Sequence, residues 1–105
     1  MEKTRLQMLE DALQASPENA FVRYGLAMEL AGAGRAEEAW KHFENLLTQH
    51  PDYWAAYLHA GMLLVKMGRR EDAHKVMTQG LEVTGQQKNL HARSELQAAL
   101  DELDA

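Results

Sequence analysis

Glu71 and His74 stand three residues apart in "EDAH", and Glu38 and His42 stand four apart in "EEAWKH". On a helix the first spacing stacks a carboxylate and an imidazole one turn apart, the E-x-x-H arrangement of helical di-metal centres. Such a centre needs a second pair at the same spacing and two more inward carboxylates, and Glu38 with His42 has the wrong step. Glu71 therefore reads as the start of a solvated helix face, and a metal-dependent enzyme is the remotest of three readings. His50 precedes Pro51 and belongs to a turn, while His59 and His91 fall on helix faces without a convincing acid partner. Ser16, ahead of Pro17 and Glu18, reads as a cap and not as a nucleophile. "AGAGRAEEA" carries glycines but lacks the spacing and the Lys-Ser/Thr end of a phosphate-binding loop. With no cysteine, disulfides, thiolate metal sites and a cysteine nucleophile are all excluded. The expectation is a protein with no catalytic step, no cofactor and no metal.

The elements that position these side chains follow from composition and pattern. A chain of 105 residues is most simply one domain. Its 46% hydrophobic and 26% charged residues are those of a folded protein. The start "MEKTRLQMLEDAL" is charged throughout and is no secretory signal. The most apolar run, "AAYLHAGMLLV", contains a histidine and is about half the ~20 residues a spanning helix needs. A soluble, cytoplasmic protein without membrane contact is expected. The net charge of -5 argues against nucleic acid as partner, since phosphate binding depends on clustered Lys and Arg. Lys66, Arg69 and Arg70 form a small basic patch, read as a solvated corner between helices.

The chain repeats itself. "GRAEEAWKHFENLL" from Gly34 and "GRREDAHKVMTQGL" from Gly68 are thirty-four residues apart, and the register pairs Arg35 with Arg69, Ala39 with Ala73 and Leu47 with Leu81. It also pairs Met28 with Met62, Leu30 with Leu64 and Pro17 with Pro51. Each unit reads as two helices. In the first unit Leu26, Ala27 and Leu30 form a stripe at helical spacing. Gly34 can take the left-handed conformation that ends a helix. A second helix carries Ala39, Phe43, Leu46 and Leu47, and ends before Pro51, which cannot continue it. Asn19 and Asp52 are candidate N-caps. Ala60, Gly61 and Leu64, then Ala73, Met77 and Leu81, repeat the plan. Small residues at Ala27, Gly61, Ala39 and Ala73 let the paired helices approach.

These residues resemble the tetratricopeptide repeat, whose loose pattern is W-x2-L-G-x2-Y, then A, F and P, in thirty-four residues. Arg23, Leu26, Ala27, Leu30, Ala39, Phe43, Leu46 and Pro51 match it in one unit. Tyr57, Ala60, Gly61, Leu64, Ala73, Met77, Gly80 and Gly85 match it in the next. Arg23 departs from the usual aromatic and Gly85 from the usual proline. The resemblance implies an all-α, right-handed superhelical stack of antiparallel helix pairs with about six helices. Its parts are a half repeat over 2–15, repeats over 20–53 and 54–87, and a capping helix over 88–103. Glu95 stands where the full units have Ala27 and Gly61, so the last helix does not begin a third ordinary repeat.

The first helix of each unit carries a further stripe. Phe21, Tyr24, Met28 and Ala31 recur one period later as Ala55, Leu58, Met62 and Val65. Such a stripe is either interior packing or a binding face. In the family these positions line the concave face, so the resemblance implies a groove for a peptide or helical segment of another protein. Its residues would be Phe21, Tyr24, Met28, Leu58, Met62 and Val65. One branch of the family grips a chaperone's terminal carboxylate with Lys and Asn at these positions, and this chain has neither there. The alternative is a homodimer or other assembly through the same stripe, because two full units are few for a free-standing solenoid.

Overall fold

The computed structural model describes residues 2–105. Among them it has six helices and no strand: α1 Arg5–Ala15, α2 Ala20–Gly32, α3 Ala36–Gln49, α4 Trp54–Lys66, α5 Arg70–Gln86 and α6 Leu90–Asp104. The chain forms two compact units, one running through His50 and the other Pro51–Ala105. The expected helix pairs of 20–53 and 54–87 are α2 with α3 and α4 with α5. α1 lies over the segment expected as a half repeat, and α6 over the one expected as a capping helix.

The helix ends obey two rules, both local. After α2, Gly34 (φ 80°) lets Arg35 N–H bond the Leu30 carbonyl at 2.9 Å and Gly34 N–H bond Ala31 at 3.2 Å. After α4, Gly68 (φ 77°) does the same, with Arg69 bonding Leu64 at 2.8 Å and Gly68 bonding Val65 at 3.0 Å. This double bond across a left-handed residue satisfies carbonyls the helix would leave bare. By contrast α1 and α3 stop at Ser16 and His50, whose extended φ of -139° and -134° is forced by the following proline. Ser16 is therefore a cap on the C-terminal side of α1. Where Pro51 would recur, the chain has Gly85, and α5 runs on for 17 residues against 14 in α3. It ends at Lys88 (φ 57°), with Asn89 N–H reaching the Thr84 carbonyl at 2.9 Å.

At the starts, Asn19 caps α2 by accepting from Val22 N–H at 3.0 Å, as expected. Asp52 does not cap α4. That helix begins one residue too late for it, at Trp54 after Tyr53, and Asp52 instead offers its carbonyl to Gln87 Nε2 at 2.8 Å. Thr4 and Gln7 form a reciprocal capping box on α1. Arg35 and Arg69 precede α3 and α5 without capping them, and pair with Glu38 and Asp72 at 2.7 and 2.8 Å.

In the first unit α2 packs on α1 and on α3. Leu26, Ala27 and Leu30 meet Ala39, Phe43 and Leu46, all buried, while Leu47 stays at the margin. Leu9 of α1 lies against the face of Gly25, where an added Cβ would stand 3.3 Å from it. In the second unit α4, α5 and α6 all touch one another. Gly61 faces Met77, whose Cγ lies 2.7 Å from where a Cβ would sit, and Gly80 faces Tyr57 and Leu96 as closely. Each buried Leu, Met or Phe contributes about 1.5–3 kcal/mol of hydrophobic stabilisation, so the pattern of buried positions decides the fold. No helix among the described residues is long and apolar enough to cross a membrane.

Candidate apolar binding site

The second stripe divides into two faces, one in each unit. On α2, Phe21 is 76% exposed while Tyr24 and Met28 are half-buried. Tyr24 meets the buried Phe43 edge-on, with ring centroids 6.4 Å apart and planes at 71°. This geometry suits the ring quadrupoles, and it means Tyr24 shares its surface between core and exterior. Helical spacing explains the split: a residue at the edge of the packed stripe has one flank on α3 and one outside it.

On α4, Leu58 is half-buried, Met62 is 49% exposed and Val65 is 38% exposed. The last two open into a cleft of about 460 Å³ whose other apolar wall is Ala99 and Leu103 of α6, with Met77 of α5 beneath. Lys66, Arg70 and Glu102 complete the lining. α6 thus supplies a wall of the α4 cleft, and Met62 remains accessible beside it. Ala99 was findable from the sequence, since it stands one period after Val65. Leu103 was visible only as part of the apolar face of α6.

Among the described residues the histidines and acids meet in pairs at most. Glu71 and His74 are exposed, and His74 Nε2 lies 3.5 Å from Asp104. Among the described residues no three His, Asp or Glu side chains converge as metal ligands. His91, expected to lack an acid, has Glu95 at 3.1 Å one turn on, with its own side chain 88% exposed. The one polar contact of note is His42, whose Nδ1 stands 3.0 Å from Arg23 Nη1 on α2. A guanidinium only donates, so this nitrogen accepts and the ring is neutral. Burial pushes its pKa below the ordinary 6.5, the Arg23 charge pushes the same way, and Glu38 and Glu10 pull weakly upward. Burial likewise lowers His59, against Glu95.

Antiparallel helix pairs closed by recurring turns, with an apolar face left over on the first helix of each pair, define a helical-repeat interaction protein. The particular repeat follows from comparison with known proteins. The tetratricopeptide repeat profile matches residues 30–100, and the chain belongs to the tetratricopeptide repeat family. It is 29% identical over 99 residues to a TPR repeat-containing protein of Pseudomonas aeruginosa, covering 94% of each chain. The solution structure of a tetratricopeptide repeat domain protein from Salinibacter ruber is 36% identical, with a TM-score of 0.80 over 84% of this chain and 89% of that one. A Bordetella parapertussis protein at 24% identity shares the fold, with a TM-score of 0.85 over 98% of this chain and 90% of that one. The all-α tetratricopeptide-like fold is that of a protein–protein interaction module.

Proposed function

We propose that this chain is a cytoplasmic adaptor, without catalysis or cofactor, that binds a peptide or helical segment of another protein on the apolar faces of its first helices. Phe21, Tyr24 and Met28 on α2, and Leu58, Met62 and Val65 on α4, are the contact residues. The observation that carries this reading is the α4 cleft. Met62 and Val65 stay open to solvent beside Ala99 and Leu103, while the opposite side of the same helix is packed away. Leaving apolar side chains exposed in a concave site has a use when a partner covers them. Methionine suits such a site because its flexible thioether conforms to varied shapes. The net charge of -5 favours a protein over a phosphate backbone.

The test is a phage-displayed peptide library selected on the intact chain. Met28→Lys with Met62→Lys should weaken the selected peptides at least about tenfold while the far-UV circular dichroism stays unchanged. Met62 is 49% exposed and Met28 half-buried, and a lysine at either carries its ammonium out to water on its flexible stem. Peptide affinity that survives the double change removes the reading.

A further inference from the structure

The α4 cleft has a charged rim whose pairing is incomplete. Arg69, beside it, is occupied by Asp72 at 2.8 Å. Arg70 is anchored across the cleft, where its Nη2 donates to the Leu103 carbonyl in the last turn of α6. Lys66 is different. It closes α4, where the partial negative charge of the helix end favours a cation, and no carboxylate among the described residues pairs with it. Around the cleft two cations face one carboxylate, Glu102, although the chain as a whole carries -5. The rim thus has the opposite sign to the net charge of the chain.

We propose that the segment received by this cleft is acidic as well as apolar. Apolar side chains occupy the floor at Met62, Val65 and Leu103, and a neighbouring Asp or Glu reaches the Lys66 ammonium. Such a partner presupposes the groove reading above and adds its chemistry. The volume of about 460 Å³ suits a few side chains of a short segment, within the range of roughly 300–1,000 Å³ typical of ligand sites. Charge complementarity at a rim mainly selects partners and speeds encounter. Here it has a particular task, because the net charge of -5 repels an acidic segment and Lys66 with Arg70 offsets that repulsion at the cleft. The pairing is open to water, so salt weakens it within a Debye length of about 8–10 Å.

The experiment uses the intact chain and the peptides selected from the displayed library, each compared with a version in which every Asp and Glu is replaced by Asn or Gln. The amide versions should bind about tenfold more weakly at low salt, with the gap closing in high salt. Lys66→Glu should cost the parent peptides a similar factor, Lys66→Gln less, and a peptide with Lys in place of its acid should recover affinity for Lys66→Glu. Amide peptides that bind as well as their parents, or parents indifferent to Lys66→Glu, overturn the acidic partner; if Met62→Lys still abolishes binding, the groove reading stands alone. Binding indifferent to Met28→Lys and Met62→Lys overturns the groove and the acidic partner together. So does a library that yields no binder.

Discussion

Arg23 Nη2 and Tyr57 Oη each donate to the carbonyl of the proline six residues earlier, Pro17 at 3.1 Å and Pro51 at 2.7 Å. The two stand one period apart, so an arginine performs the bond that the family's aromatic position supplies in the other unit. The sequence showed Arg23 only as a mismatch, because a repeat pattern records residue type and not which bond a position makes. The substitution has a consequence that tyrosine would not. Arg23 also holds His42 Nδ1 at 3.0 Å, in a bond that exists only while the ring is neutral. His42 therefore has a folded pKa below its ordinary 6.5. A lowered pKa means that the unfolded chain takes up its proton first, so the stabilisation is complete above 6.5 and is lost as pH falls through the depressed folded value. His59, lowered by burial, adds in the same direction. Urea midpoints should thus fall between pH 7.5 and 5, and the fall should be smaller in His42→Gln, which keeps an acceptor for Arg23 but does not titrate. An identical pH dependence in that variant would remove His42 from the account.

The three left-handed turns test how far each element is set by its own residues. Gly34 and Gly68 were legible because glycine adopts positive φ without steric cost. The third turn was not, because its left-handed residue is Lys88, a type with no such signal. The missing proline at Gly85 explains the difference: α5 runs through the place where α3 stops and closes on the next available residues. A left-handed lysine costs roughly 1–2 kcal/mol. Lys88→Gly should therefore stabilise the protein by about 0.5–1 kcal/mol after the extra entropy of an unfolded glycine is counted. Gly68→Ala should destabilise it by about 1 kcal/mol or more, although nothing lies within 4 Å of the added methyl. Denaturant unfolding of both variants gives the two signs directly. If Gly68→Ala were neutral, its φ of 77° would not be what closes α4.

For the molecule as a whole, the period carried the two-helix plan of each full unit, because a 34-residue repeat fixes which residues face the core in both units. What it could not carry was the environment of the left-over stripe. Met28 and Met62 are equivalent in sequence, yet Met28 is half-buried and Met62 is 49% exposed in a cleft that α6 completes. The stripe residues leave a choice between a foreign partner and a second copy. The two demand different surfaces. A stable homodimer buries about 1,200–2,000 Å² of total surface through a self-complementary patch, so cations on one copy must meet anions on the other. The cleft rim offers Lys66 and Arg70 against a single Glu102, so two copies meeting there bring four cations to two carboxylates and leave net positive charge at the contact. A monomer of 11.9 kDa is accordingly expected by light scattering from micromolar to millimolar concentration. Addition of a selected acidic peptide should add the mass of one peptide per chain. A mass that doubles with concentration and returns to 11.9 kDa on Met62→Lys would reassign the stripe to self-association. The adaptor reading would then give way to an assembly role built on the same six residues.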